Sequence, residues 1–177
     1  MTDAPTSTTT PFWRFSLHFY GRAGVSDACI ALQDTYGADI NLLLFLFWLA
    51  AAGRQLSAPD VKQLDATVRD WRNLTIIPIR DARRKLKGAT TFVAPAKQEA
   101  FRTKVKALEL DAERLQQEAL YEFADSGPLG TQAAPPAAAR ANIAAYESVL
   151  GLSFPKVSAD VLIGAFDGIK HGEFAGR

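Results

Sequence analysis

Between Arg69 and Lys87 stand seven basic residues, Arg69, Arg72, Arg80, Arg83, Arg84, Lys85 and Lys87, against only Asp70 and Asp81. On a helix, Arg80, Arg83, Arg84 and Lys87 fall at i, i+3, i+4 and i+7 and make one continuous basic stripe. Ile79, Ala82 and Leu86 then supply the opposite, buried side, and Trp71 and Arg72 lie just upstream. The planar fork of arginine grips carboxylate or phosphate with two hydrogen bonds, so the chemistry on offer is anion recognition. Like charges one turn apart repel, so the stripe needs a compensator. That could be internal, such as Asp34 or the acidic residues of the long helix downstream. It could equally be an acidic protein partner or a small anion. The plainer alternative is a solvated helix face whose charges pair within the chain.

A second constellation precedes it, in "QDTYGADIN" (residues 33–41). Asp34 and Asp39, five residues apart across a turn, could hold a divalent cation or share a proton. Tyr36 and Asn41 flank them with further polar groups. The structural alternative makes Asp39 the N-cap of the next helix and leaves Asp34 solvated or paired with an arginine, which needs no ligand.

Other chemistry is thin. The glycine-rich nucleotide fingerprints and the nucleophile elbow do not occur. His18 and His171 are far apart in sequence, and His18 sits in an aromatic segment, so a histidine metal site is not expected. Cys29 falls on an apolar helical face and reads as a small core residue. No cofactor or metal follows from these residues, and the balance leans away from an enzyme.

The elements that must position these groups read as helices. Thr10 and Pro11 open a first helix, "FWRFSLHFY", which stops at Gly21. A second runs from about Ser26 to Tyr36, with Val25, Ala28, Cys29, Leu32 and Tyr36 as its inner face and Gly37 at its end. Asp39 caps a third, which carries the charge-free run "LLLFLFWLAAA" and ends at Gly53. Ser57, Pro59 and Asp60 begin a fourth with a near capping box, and Val61, Leu64, Val68 and Trp71 should face inward. After "NLT" a fifth bears the basic stripe, with Pro78 in its first turn. A long sixth spans about Lys97 to Ala124, with Phe101, Val105, Leu108, Leu115 and Leu120 diluted by five basic and five acidic residues between Lys97 and Glu118. A Gly/Pro/Ala-rich hinge (126–136) leads to a seventh helix and a short eighth that ends near Phe166. Strand signals are nearly absent.

These elements predict an all-α, single-domain bundle of seven to eight helices over residues 11–167, between a disordered tail (1–10) and a frayed one (168–177). The apolar third helix belongs at its centre, wrapped by helices one, two, four and five. It is too short to span a bilayer, which takes roughly 20 residues. The net charge of +1 gives no global field, and one basic stripe is a thin footprint for nucleic acid. A single cysteine and no export signal point to a cytoplasmic protein.

In order along the chain, "FWRFSLHFY", "ACIALQDTYGADINLLLFLFWLA" and "WRNLTIIPIRDARRKLK" resemble a family of small proteobacterial proteins of uncharacterised function. Its pattern joins FW.FS, LQ..YG.D.N.LL and a tryptophan-led block that ends in P.R..RR.LK. The resemblance covers roughly Phe12 to Lys87. It implies an all-helical domain and carries over no catalytic residue. It does place Tyr36, Asp39, Asn41, Trp71, Arg80, Arg83, Arg84 and Lys87 at polar and aromatic pattern positions.

Two functional expectations follow. The first is a non-enzymatic binding, adaptor or regulatory protein whose stripe, with Trp71 and Arg72, engages an acidic partner. The second is a site for a phosphate- or carboxylate-bearing small molecule, possible for an enzyme too, near Asp34, Tyr36, Asp39 and Asn41. It requires the start of the third helix and the stripe to meet across a concave surface.

Overall fold

The caps written into the sequence set the helix ends. The computed structural model describes residues 10–88, 92–127 and 129–170. Thr10 accepts a hydrogen bond from the Trp13 amide and opens α1 (Pro11–Tyr20). α2 (Val25–Tyr36) ends at Gly37, whose φ of 68° is the left-handed conformation that a helix end of this kind requires. Asp39 caps α3 (Ile40–Ala51), accepting from the Leu42 amide at 3.2 Å. Ser57 and Asp60 form a complete reciprocal capping box at the start of α4 (Ala58–Trp71). These four match the sequence expectation.

The break expected at "NLT" does not occur. α4 continues through one π-helical turn (Arg72–Ile76) directly into α5 (Ile77–Lys85), giving an unbroken rod from residue 58 to 85. Pro78 explains the turn, because a proline lacks an amide hydrogen and its ring crowds the carbonyl four residues back. Widening the preceding turn, with the Ile77 amide bonding back to the Arg72 carbonyl, accommodates the ring without ending the helix. α6 (Pro95–Asp125) is 31 residues long. α7 (Pro135–Leu150) and α8 (Lys156–Asp167) complete the chain. The architecture is all-α, with eight α-helices among the described residues.

α3 is the central pillar: ten of its twelve residues are buried. Its neighbours differ from those expected. It packs most extensively on α7, then on α1 and α6, while α5 lies elsewhere, against α6 and the π turn. α7 can approach so closely because its buried face is lined by Ala138, Ala139 and Ala145, which keep two backbones near each other. α1 supplies rings instead, with Phe12 edge-on to Phe45 at 5.1 Å and Phe19 against Phe47 at 4.8 Å. No helix among the described residues is long and apolar enough to cross a membrane.

Two segments expected to be loose are tied down. In the Gly/Pro/Ala-rich stretch, β2 (Thr131–Gln132) pairs antiparallel with β1 (Arg54–Gln55), a two-residue ladder too short to signal in sequence. Arg54 adds bonds to the Leu129 and Gly130 carbonyls, and a Cβ at Gly130 would collide with the Gln55 carbonyl oxygen. At the other end, Ile169, assigned to a frayed tail, is buried in the core. Residues 1–9 and 171–177, with His171, lie outside the described residues.

Candidate functional site

The turn between α2 and α3 brings Asp39 to the junction of four helices. Its carboxylate caps α3 through Oδ1. Its Oδ2 accepts from Gln116 Nε2 of α6 at 2.7 Å and from Arg72 Nη1 at 3.1 Å. Its backbone N–H donates to Tyr146 Oη of α7 at 2.8 Å. Arg72 is shared with Asp65, at 2.8 Å, and Asp65 in turn accepts from Arg69. Although burial works against its charge, the carboxylates of Asp39 and Asp65 raise the Arg72 pKa, so this cation is fixed. Two residues on, Asn41 Oδ1 accepts from Gln117 Nε2 at 2.8 Å. Burial and the nearby Asp39 charge push the Tyr146 hydroxyl far above its ordinary pKa, so Tyr146 remains a neutral partner.

The basic stripe is not where the sequence placed it. α5 has no buried residue: Ala82 is exposed, and Ile79 and Leu86 are only partly covered. The expected buried apolar side is therefore corrected. The arginines turn inward instead, toward acidic residues of α6. Arg80 donates to Glu109 at 2.9 Å and to Glu113 at 2.7 Å. Arg83 grips both oxygens of the same Glu109. Arg84 reaches Asp34 at 2.5 Å across to α2. Guanidinium groups can do this because three methylenes cover the apolar contact while the fork satisfies a buried carboxylate. Desolvation opposes ionisation of Glu109, but its hydrogen bonds from Arg83 and Arg80 prevail and hold its pKa below the ordinary value. Burial dominates at Glu113 and raises it. The hydrogen bond from Arg84 lowers the Asp34 pKa.

Between the α2–α3 turn and the π–α5 segment lies a cleft of about 220 Å³. Asp34, Asp39, Asn41, Arg72, Arg80 and Arg84 all line it, with Gln33, Asp81 and the apolar Ile76 and Ile77. Six of the ten residues singled out in the sequence therefore converge. Tyr36, Trp71, Arg83 and Lys87 do not line it. Arg83 is committed to Glu109, and Trp71, expected to face inward, is 39% exposed and donates its indole N–H to the Ala112 carbonyl. Around the cleft, Nε and Nη2 of Arg72, Nη1 of Arg80 and Nδ2 of Asn41 have no hydrogen-bond acceptor among the described residues. These are donors on a concave surface, suited to a small acceptor. No group of three or more histidine, cysteine or acidic side chains suited to a metal ion occurs among the described residues. Burial pushes the Cys29 thiol up to about 12, which leaves it unreactive near neutral pH.

Sequence reasoning missed Asp65, Gln116, Gln117 and Tyr146 altogether, and named Glu109 and Glu113 only as acids of the long helix. A usable signal was present: Glu109, Glu113, Gln116 and Gln117 share one side of α6 at helical spacing. That marks a polar side facing polar partners, not solvent.

No curated protein and no solved structure matches this chain significantly. The sequence model of a family described as a protein of unknown function (DUF2390) matches residues 11–120, which hold every residue of the cleft. The chain belongs to that family.

Proposed function

We propose that the chain is a non-enzymatic binding protein whose cleft takes a small molecule through a carboxylate or phosphate group. The observation that carries this reading is the convergence of Arg72, Arg80 and Arg84 on the start of α3, with guanidinium N–H groups to spare. A helix N-terminus adds a favourable potential for an anion. Asp34, Asp39 and Asp81 balance the three arginines of the lining, so the site holds no excess positive charge. That balance favours a monoanionic carboxylate over a dianionic phosphate. Asp34, its pKa lowered by Arg84, is a poor proton acceptor at neutral pH, which favours binding over acid–base catalysis.

The adaptor reading retains support at the far end of α5. Lys85 and Lys87 are exposed, and Arg84 is only half covered. An acidic protein would have to displace Asp34 from Arg84 there, while Arg80 and Arg83 stay committed to α6.

Side-chain amide NMR of the full chain tests the cleft. Titration with acetate, propionate and inorganic phosphate should give saturable shifts at Asn41 Nδ2, strongest with the carboxylates. Arg84→Gln, expected to fold because its ion pair with Asp34 is part-exposed, should weaken them. Shifts that stay linear with concentration, or are unchanged in that variant, would remove the proposal. Shifts centred on Lys85 and Lys87 would return the adaptor reading to first place.

A further inference from the structure

The long helix α6 is turned the unexpected way round. It buries Gln98 and Glu109 on the side of α5 and leaves Phe101, Leu108 and Leu115 about half exposed, at 57%, 55% and 48%. These three recur every seven residues, and Val105, Ala112 and Ala119 stand four residues after each, an alternating 4–3 apolar stripe. At its C-terminal end the stripe opens into a groove of about 340 Å³ against α4. The groove is lined by Val68, Trp71, Leu115, Ala119 and Leu120, with Thr67 and Gln116 at its margin. A ridge with bulky apolar residues at one end and an apolar hollow at the other is self-complementary.

The charges beside the stripe decide the occupant and its direction. Lys97, Lys104, Asp111 and Glu118 follow one another at seven-residue intervals along its outer edge, basic in the first half and acidic in the second. Lys97, Lys104 and Asp111 have no ion-pair partner among the described residues, and Arg114 approaches Glu118 only at 3.7 Å. A parallel second helix would set lysine on lysine and acid on acid. An antiparallel one reverses the order and pairs every position with its opposite.

We propose that this face docks a second copy of the chain, the two α6 helices running antiparallel about a two-fold axis beside Leu108. Leu108 meets its own counterpart at the axis. Phe101, seven residues before it, lies opposite the partner's Leu115, seven residues after, and enters the groove beside the partner's Trp71. Lys104 faces the partner's Asp111, and Lys97 the partner's Glu118. The other edge of the stripe is already occupied by α5, so each copy offers one edge only, and the assembly closes at two. α6 also gains a reason for its length: the helix runs about 46 Å at 1.5 Å per residue, well beyond what covering α3 requires.

Sedimentation equilibrium on the full chain tests this, with far-ultraviolet circular dichroism as the control for folding. The wild type should be a dimer at micromolar concentration. Leu108→Glu, a substitution at an exposed site, should give a folded monomer. Lys104→Glu should weaken association about tenfold by placing like charges opposite each other twice. The double variant Lys104→Glu with Asp111→Lys restores opposite charges and should recover wild-type affinity. A wild type that stays monomeric at high micromolar concentration overturns the proposal. So does a dimer indifferent to Leu108→Glu, or a double variant no tighter than the single one.

Discussion

α3 and α5 are helices of similar length held by opposite means. α3 carries no charge and buries ten of its twelve residues, with rings from α1 and alanines from α7 around it. α5 buries none of its nine and is clamped to α6 and α2 through Arg80, Arg83 and Arg84. The hydrophobic term holding α3 is non-directional and involves no group that titrates. The ionic clamp on α5 is directional and tied to the protonation of particular carboxylates. The cleft lies where these regimes meet, its floor set by the start of α3 and its wall by the arginines. That gives it a rigid side and an adjustable one.

The largest expected effect comes from breaking the apolar half. Phe47 is fully enclosed, with the rings of Phe19 and Phe166 tilted against it. Phe47→Ala should cost about 3–5 kcal/mol in urea denaturation, the range for emptying a phenylalanine site in a packed core. Because no charge is involved, the loss should be the same from mildly acidic to mildly basic pH. A loss that varies with pH would mean that core and clamp are not separable.

The clamp should give a smaller and conditional loss. Glu109 is 5% exposed and accepts from two arginines, so Glu109→Gln should cost about 2–3 kcal/mol. Hydrogen exchange should show it first in α5 and the first half of α6, with α3 amides still protected. The pH dependence has a defined sign. The Glu109 pKa is lowered in the fold, so its contribution is full above the ordinary glutamate range and is lost as pH falls through the lowered value. Glu113, raised by burial, contributes in the opposite sense, most when protonated and less as pH rises through its own shifted value. Acidification should therefore loosen α5 in the wild type, and Glu109→Gln should flatten that response. If acid opens α3 as readily as α5, the division between the regions fails.

How much of this was legible in the residues follows the same division. Asp39, Ser57 and Gly37 announced their caps because a cap is a local arrangement of a few neighbouring residues. The apolar run of α3 announced a core because nothing else can solvate it. α5 misled because helical spacing says which residues share a face but not which face turns inward. With Ile79, Ala82 and Leu86 opposite four cations, burial of the apolar side was the expected choice. The balance was tipped by Glu109 and Glu113, more than 25 residues away, and no local pattern reports a partner at that distance. Gln116, Gln117 and Tyr146 were hidden for the same reason. The π turn was obscured by expecting a break at "NLT" before Pro78, where the chain instead widened one turn and ran on.

The smallest effect is the most diagnostic for the adjustable wall. Arg84 and Asp34 are each about two-fifths exposed, so their ion pair competes with water and salt and is worth at most about 0.5 kcal/mol to the fold. Arg84→Ala should leave the urea midpoint nearly unchanged. The same substitution should let the Asp34 carboxyl rise toward its ordinary range, because the hydrogen bond from Arg84 is the largest cause of its lowering. Carboxyl-carbon NMR titration of Asp34 reads that shift directly, and added salt should reproduce part of it in the wild type. Arg84 would then be a gatekeeper that can leave Asp34 for a ligand at almost no cost to stability, whereas Arg72, held by Asp39 and Asp65, cannot. If Arg84→Ala lowered stability as much as Glu109→Gln does, Arg84 would belong to the scaffold, and the cleft would have two rigid sides and no adjustable one.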